Sequence, residues 1–185
     1  MALEGGVGFL QLREKNLCEK DFIKKAVEVK KICDRYNVPL IINDNVNVAV
    51  ESGAAGVHVG ADDMPVSEIR KMTGDKLIIG ATAKTVEQAK KAEAEGADYL
   101  GVGAVFISGT KKNAIRITKE DLKAITSSVS IPCVAIGGIT SENVTQLKNS
   151  GICGIAVVSA IFGAENITSA CKILKKKALE VTKYD

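Results

Sequence analysis

The chain has 185 residues, of which 46% are hydrophobic, 25% are charged and only 4% are aromatic. This length and composition fit one α/β domain with a hydrophobic core. The formal net charge of +3 is too small to indicate nucleic-acid binding, and no apolar run predicts a membrane span or a signal peptide. The five cysteines contain no Cys-x-x-Cys motif and favour reduced thiols in the cytoplasm.

Short apolar runs alternate with amphipathic stretches along the chain. The runs predict seven strands, at residues 7–12, 39–43, 56–59, 77–81, 99–103, 133–137 and 155–159. Helical patterns occupy 19–36, 85–95, a segment from Thr140-Ser141 to near Gly151, and 166–182. Such alternation is typical of a parallel sheet that is covered by helices.

The number of strand-and-helix units favours a TIM (β/α)8 barrel over an open doubly wound sheet. No change in composition marks a second domain, so we expect a single barrel domain over residues 1–185. Residues 2–6 have the pattern of a helix end with a glycine cap. We therefore expect the first strand and most of its helix, an N-terminal βα unit, to be missing. A seven-stranded open barrel is the alternative.

Charged side chains follow the first predicted strand. Gln11, Arg13 and Lys15 alternate with Leu12 and Glu14, so they project to one face of the strand and its exit. In a barrel that face is the inner mouth, where charges need a ligand because their burial is costly. The alternative is an exposed strand end with solvated charges.

Carboxylates follow the next two strands. Asn43-Asp44 ends the second strand, and Asp62-Asp63 comes just after the third. Strand exits carry the chemistry of this fold, and two carboxylates suit an octahedral Mg²⁺ that also binds water and substrate phosphate. The alternative is helix capping by Asp, above all for Asp62.

The only histidine of the chain, His58, lies in an apolar predicted strand. A histidine near neutral pH can act as an acid or a base. At this position we favour a hydrogen-bonded core residue over a catalyst.

Three later segments predict phosphate binding. Ser108 and Thr110, beside Lys111, can place hydroxyls and an ammonium on phosphate oxygens, although they form no Walker A motif. Gly138 and Val158-Ser159 follow the last two strands, whose loops commonly bind phosphate through backbone N–H groups. The alternatives are a solvated lysine loop and glycines needed only for tight turns.

Taken in this order, the motifs resemble the thiamine phosphate synthase (thiamine-phosphate pyrophosphorylase) family over nearly the whole chain. The motifs that carry the resemblance are Gln11-Leu12-Arg13-Glu14-Lys15, Ile42-Asn43-Asp44, Gly56-Val57-His58-Val59-Gly60, Asp62-Asp63-Met64-Pro65, Ile79-Gly80-Ala81-Thr82-Ala83, residues 96–103, Thr110-Lys111-Lys112, Ala135-Ile136-Gly137-Gly138-Ile139 and Val157-Val158-Ser159-Ala160-Ile161. The resemblance implies a cytoplasmic, Mg²⁺-dependent transferase that joins hydroxymethylpyrimidine diphosphate to a thiazole phosphate and releases diphosphate by a dissociative mechanism. Its implied partners are these small molecules and, in a homo-oligomer, further copies of the chain, with no nucleic acid or membrane.

The resemblance also implies roles for individual residues. Asp44 and Asp63 would hold Mg²⁺. The residues that would bind the diphosphate are Gln11, Arg13, Lys15, Asn43 and Lys111. Thr82 replaces a family serine near the reacting pyrimidine, and it would be catalytic together with Lys111 and Arg13. The thiazole phosphate would be held by Ser108, Thr110 and the backbone around Gly138, Val158 and Ser159.

The chain departs from the family pattern near Lys111. Ala104 and Ile107 replace usual prolines, Ser108 replaces a usual threonine, and Asn113 replaces a usual aspartate. Two other functions remain open. One is a thiazole tautomerase of the same fold, which would need no diphosphate-binding residues or metal, and the other is an inactive paralogue that binds a phosphate ligand.

Overall fold

A computed structural model describes residues 1–106 and 116–182 of the chain, and its seven strands form one parallel sheet. The strands are β1 (Leu10–Leu12), β2 (Leu40–Asn43), β3 (Gly56–Val59), β4 (Ile78–Ala83), β5 (Tyr99–Val102), β6 (Cys133–Ile136) and β7 (Gly154–Ala156). They pair in chain order, and no ladder joins β7 to β1 within the described residues. The helices are α1 (Glu19–Asp34), α2 (Val46–Ser52), α3 (Val66–Thr73), α4 (Val86–Ala94), α5 (Lys119–Ser127), α6 (Ser159–Phe162) and α7 (Ile167–Leu179), with 3₁₀ turns at Gly74–Lys76 and Val144–Leu147.

The parallel α/β fold predicted from the sequence is confirmed, and each of the seven predicted strands is present with ends shifted by up to three residues. The helices predicted at 19–36, 85–95 and 166–182 are α1, α4 and α7. Closure into an eight-stranded barrel, the single-domain assignment and the missing N-terminal unit stay predictions.

The helix predicted from Thr140 to near Gly151 is wrong, because only the 3₁₀ turn Val144–Leu147 forms there. The backbone after the turn accounts for the difference. Lys148 is extended, with a ψ angle of 139°, and Asn149 has a left-handed φ angle of +64°, so no further helical turn follows. Before the turn, Asn143 Oδ1 accepts a hydrogen bond from the Thr140 amide at 2.8 Å, and Asn143 Nδ2 donates to the Gly138 carbonyl at 2.9 Å, which fixes the loop.

One face of the sheet is aliphatic and packs against the helices. Ile42, Val57, Ile79 and Leu100 are fully buried there and belong to the main hydrophobic core. Each such side chain contributes about 1.5–3 kcal/mol of transfer free energy. Because side chains alternate along a strand, the other face is left for residues with different chemistry.

The opposite, inner face carries a polar layer near the carboxyl ends of the strands. Asn43 pairs in register with His58, His58 with Gly80, and Gly80 with Tyr99. A Cβ atom on Gly80 would lie 2.2 Å from Tyr99 Cζ and 2.5 Å from His58 Nδ1. The glycine therefore makes room for both rings, and the rings form the floor beneath the strand exits.

Candidate active site

A polar cavity of about 320 Å³ opens at the carboxyl ends of four neighbouring strands, β1 to β4. Its lining is mostly charged and hydrogen-bonding, and consists of Arg13, Lys15, Asn43, Asp44, His58, Gly60, Ala61, Asp62, Asp63, Thr82, Lys84 and Gln88. This is the edge of a parallel α/β sheet at which ligands bind.

The charges around this cavity follow the order of the strands. Arg13 and Lys15 follow β1, Asp44 follows β2, Asp62-Asp63 follows β3, and Lys84 follows β4. Negative charge therefore lies at the centre, between two groups of cations. A metal ion bound at the centre would have cations on both sides, and that arrangement suits an anion bound to the metal.

The exit of β1 shows the predicted alternation of side chains. Arg13 and Lys15 line the cavity, whereas Glu14 between them forms an ion pair with Lys25 of α1. Gln11, in β1 itself, lies outside the cavity lining. The strand thus presents two cations to the cavity and a carboxylate to the helix layer.

Asp44 lies in a two-residue connection between β2 and α2. Its φ angle is +67°, a left-handed conformation that non-glycine residues seldom adopt. Its amide donates to the His58 carbonyl at 2.8 Å, and Asn45 caps α2 by accepting from the Val48 amide at 2.9 Å. A strained residue held from both sides is typical of a functional site. The turn fixes where the Asp44 carboxylate leaves the sheet.

Asp63 is fixed by a tight turn after β3. Its Oδ2 accepts a hydrogen bond from the Gly60 amide at 2.7 Å. A carboxylate has several lone pairs, so this bond leaves Asp63 able to bind a cation. Asp62 is exposed beside it and does not occupy the N-cap position of α3, which is Pro65. The capping alternative for Asp62 therefore has no support in this geometry.

The described ranges, 1–106 and 116–182, hold no group of three or more His, Cys, Asp or Glu side chains that could bind a metal by themselves. Asp44 and Asp63 are instead a pair in one cavity. A pair of carboxylates suits Mg²⁺, because this ion usually keeps waters and takes its other ligands from substrate phosphates.

The floor of the cavity is a hydrogen-bonded set of side chains around His58. Its Nδ1 lies 3.0 Å from the Tyr99 hydroxyl, and its Nε2 lies 3.1 Å from Thr82 Oγ1. His58 is 8% exposed, as expected for a core histidine, yet it also lines the cavity. Burial raises the pKa of Tyr99 to about 12, and a hydrogen bond from Gln11 acts in the opposite direction. Tyr99 therefore stays a neutral phenol at physiological pH.

Sequence reasoning missed two polar side chains of the lining, Lys84 and Gln88. Gln88 Oε1 accepts from the Lys84 amide at 2.8 Å, and the Gln88 amide donates to Thr85 Oγ1 at 3.2 Å, so the start of α4 is fixed on both sides. The signal was present in the sequence. Lys84 comes two residues after Thr82, the same alternation that relates Arg13 to Gln11 and Lys15 to Arg13.

The residues assigned to the second phosphate lie after β6 and β7, outside the lining of the 320 Å³ cavity. Gly138 has a φ angle of +62°, and Val158 and Ser159 are exposed at the start of α6. The pairing of Ile136 with Ala156 places both segments at the same edge of the sheet as the cavity. Ser108, Thr110 and Lys111 lie in 107–115, outside the described residues.

Comparison with known proteins identifies relatives over most of the chain. The family model described as thiamine monophosphate synthase matches residues 1–161. The thiamine-phosphate synthase of Clostridium tetani is 49% identical over 173 residues, which cover 94% of this chain and 83% of the relative. That of Methanobrevibacter smithii is 49% identical over 176 residues, which cover 95% of this chain and 84% of the relative.

Solved structures agree with these relatives. The thiamine phosphate pyrophosphorylase of Pyrococcus furiosus has a TM-score of 0.90 and 39% identity, and the match covers 97% of this chain and 87% of that one. A 3-hexulose-6-phosphate synthase, at 16% identity and a TM-score of 0.71 over 95% of this chain and 92% of that one, shows likeness of fold alone. Among the described residues, none of the helices has the length and apolar character that crossing a membrane requires.

Proposed function

This chain belongs to the thiamine monophosphate synthase family, and we propose that its strand-end cavity binds the diphosphate of hydroxymethylpyrimidine diphosphate together with Mg²⁺. The chain is a transferase of thiamine biosynthesis, a thiamine-phosphate synthase, since curated enzymes of that name are close to half identical over nearly all of its length. The observation that carries the proposal is the order of charges at the strand ends, with carboxylates in the centre and cations on both sides.

Asp44 and Asp63 are the proposed Mg²⁺ ligands. They follow neighbouring strands and line one cavity, and carboxylate oxygens are the protein ligands that Mg²⁺ prefers. The β2–α2 turn sets the backbone from which the Asp44 carboxylate leaves, and the bond from the Gly60 amide fixes the Asp63 carboxylate. When bound, Mg²⁺ supplies positive charge that stabilises the departing diphosphate.

The remaining diphosphate oxygens need cations and amide donors from the protein. We assign these contacts to Arg13, Lys15 and Asn43, which line the cavity, with Gln11 beneath them. Among the described residues of the lining, the cations and the carboxylates are equal in number, so their charges balance. A bound diphosphate therefore adds negative charge that one Mg²⁺ neutralises only in part. Lys111 is our proposed source of the further cation, as the family resemblance implies.

The proposed reaction is a dissociative transfer. The bond from the pyrimidine methylene carbon to the diphosphate oxygen breaks first, and the electron pair leaves with the diphosphate. The pyrimidine stabilises the resulting carbocation, and the thiazole nitrogen then donates its lone pair to that carbon. Such a step needs charge stabilisation and positioning more than a nucleophile from the protein. In this scheme Arg13 and Lys111 stabilise the leaving group, and Thr82 holds the pyrimidine.

The thiazole phosphate is assigned to the ends of β6 and β7. Gly138, Val158 and Ser159 can offer backbone N–H groups there, and a glycine lets a phosphate approach the backbone closely. Ser108 and Thr110 are proposed to add hydroxyl donors to the same phosphate. The two substrates would then lie side by side along one edge of the sheet.

Formation of thiamine phosphate from both substrates tests the proposal. The chain is supplied with hydroxymethylpyrimidine diphosphate, thiazole phosphate and Mg²⁺, and both thiamine phosphate and diphosphate are measured. We expect equal amounts of the two products, and no product after chelation of the metal. Isomerisation of the thiazole without release of diphosphate would instead indicate a tautomerase. Binding of both ligands without turnover would indicate an inactive paralogue.

Three wider expectations accompany this proposal. Seven parallel strands in chain order support a TIM barrel that an eighth strand would close between β7 and β1. The cytoplasm is the compartment that we propose for the enzyme. Assembly into a homo-oligomer also stays a prediction, which light scattering of the purified chain would test.

A further inference from the structure

We propose that His58 is a positioning residue that sets the direction of the Thr82 hydroxyl, through a one-way chain of hydrogen bonds from Tyr99 to His58 to Thr82. The inference deepens the proposed function and rests on it, since Thr82 is the residue assigned to the pyrimidine. It gives a role to a buried histidine that the proposed reaction does not itself use.

The ring of His58 lies in a narrow space that two glycines leave open. A Cβ atom on Gly80 would lie 2.5 Å from His58 Nδ1, and one on Gly101 would lie 2.9 Å from Cε1. Both distances are shorter than real Cβ contacts, so the glycines form a slot that matches the ring. The ring centroid of Tyr99 is 5.4 Å from that of His58.

Among the described residues, each ring nitrogen of His58 lies at hydrogen-bonding distance from a hydroxyl. Tyr99 lies 3.0 Å from Nδ1 and Thr82 lies 3.1 Å from Nε2. A neutral imidazole has one N–H donor and one acceptor nitrogen, so these two contacts must have opposite directions. The direction at Tyr99 therefore decides the direction at Thr82.

The Tyr99 hydroxyl settles that choice. Its proton needs an acceptor in a partly buried site, and within the described residues His58 Nδ1 is the acceptor at hydrogen-bonding distance, 3.0 Å away. Tyr99 thus donates to Nδ1, and the imidazole proton resides on Nε2.

This arrangement determines what Thr82 offers to the cavity. His58 Nε2–H donates to Thr82 Oγ1, so the hydroxyl oxygen is already an acceptor inside the protein. The hydroxyl proton of Thr82 is then directed toward the cavity that Thr82 lines. Thr82 acts as a donor to an acceptor atom of the bound pyrimidine diphosphate, and it does so without reorganising when the substrate arrives.

The single histidine of the chain makes the tautomer directly measurable. Uniform ¹⁵N labelling gives one imidazole, whose two nitrogens are distinguished by long-range ¹H–¹⁵N correlation. We expect a protonated Nε2 and an unprotonated Nδ1 at neutral pH in the enzyme without substrate. A proton on Nδ1, or protons on both nitrogens, overturns the proposal. This result does not depend on turnover, whereas failure of the wild-type chain to form thiamine phosphate would refute the proposed function alone.

Replacement of Tyr99 tests the link between the first two members of the chain. Tyr99→Phe removes the donor to Nδ1, so we expect the Nδ1 resonance to move. Tyr36→Phe is the matched control, because the Tyr36 hydroxyl is exposed and contacts only Glu4 among the described residues. An Nδ1 resonance that is the same in Tyr99→Phe and in wild type overturns the proposal.

A double-mutant cycle separates positioning from simple stabilisation. His58→Gln and Thr82→Val should each lower turnover, the former by about tenfold, the effect of losing one net hydrogen bond. In the Thr82→Val background, His58→Gln should cause little further loss, because its effect passes through the missing hydroxyl. Thr82→Ser should restore most turnover. Independent, multiplicative losses in variants with wild-type unfolding midpoints would show that His58 does not act through Thr82.

Discussion

Arg70 and Asp98 form an ion pair, with Nη2 2.7 Å from Oδ2, at the edge of the sheet opposite the strand-end cavity. Arg70 also donates to the carbonyls of Gly74, Leu77 and Gly96, at distances between 2.6 and 3.2 Å. One guanidinium thus joins the end of α3 to the segments that lead into β4 and β5. In TIM-like parallel α/β folds, that edge contributes to stability while the opposite edge carries the chemistry.

We expect Arg70→Met to lower the free energy of unfolding by about 1–3 kcal/mol, because it leaves partly buried carbonyls without a donor. Urea unfolding measures this loss. The turnover number and both Michaelis constants should stay at wild-type values. Arg35→Met, at an exposed position after α1, is the control and should leave stability unchanged. Reduced turnover in a folded Arg70→Met enzyme would contradict the separation of the two edges.

Asp44→Asn and Asp63→Asn should each reduce turnover by at least about 10²-fold, since loss of the metal removes several kcal/mol of charge stabilisation. Mg²⁺ affinity, measured by titration calorimetry in the presence of diphosphate, should fall in both variants. Asp34→Asn, an exposed carboxylate that pairs only with Lys30 among the described residues, serves as the control. Wild-type turnover in either variant at all Mg²⁺ concentrations would make the metal assignment wrong.

Lys111→Ala should lower turnover by roughly 10²–10³-fold, by analogy with the loss of one preorganised donor at a developing charge. The Michaelis constant for thiazole phosphate should change far less, because the negative charge grows on the diphosphate as the bond breaks. Lys112→Ala is the matched control, one residue away with the same charge. An effect confined to the thiazole phosphate constant would assign Lys111 to the other substrate.

Lys84→Met should raise the Michaelis constant for the pyrimidine diphosphate and make it less sensitive to salt, since one cation of the cavity is lost. A tenfold change corresponds to about 1.4 kcal/mol, a reasonable size for one charge-assisted hydrogen bond. Lys90→Met, on the exposed side of α4, should have no such effect. If the two variants behave alike, Lys84 does not contact the substrate.

Gly138→Val should weaken binding of thiazole phosphate and leave the affinity for Mg²⁺ and diphosphate nearly unchanged. A β-branched side chain would block the approach of the phosphate to the backbone, and the left-handed φ angle of +62° adds strain. Gly8→Val is the control, because a Cβ atom there has no neighbour within 4 Å. Equal loss of both affinities would indicate a folding defect instead.

The fold was predictable because it depends on patterns within short segments. Buried strands of a parallel sheet are continuous apolar runs, and residues 56–59 match β3 at both ends. The segment after Gly138 was not predictable by the same means, because the backbone leaves the helical region at Lys148 and Asn149 in spite of a helix-like pattern. Short helices such as α2 carry too few turns for a clear period.

The site was predictable to the extent that strand exits could be located. Arg13, Lys15, Asp44 and Asp63 were found in this way, and all four line one cavity. The contact between His58 and Thr82 joins residues 24 positions apart, and the contact between His58 and Tyr99 spans 41. Such contacts depend on the register of neighbouring strands, which single-sequence patterns do not specify.

The slot around His58 limits which substitutions the neighbouring positions can accept. As long as the imidazole is present, neither Gly80 nor Gly101 can acquire even an alanine without displacing it, because the added atom would lie 2.5 to 2.9 Å from the ring. A lineage that exchanged His58 for a smaller residue would release Gly101, whereas Gly80 would stay restricted by Tyr99, whose Cζ would lie 2.2 Å from the added atom. Substitutions at His58 and Gly101 should therefore appear together, and Gly80 should change only in chains that have also replaced Tyr99.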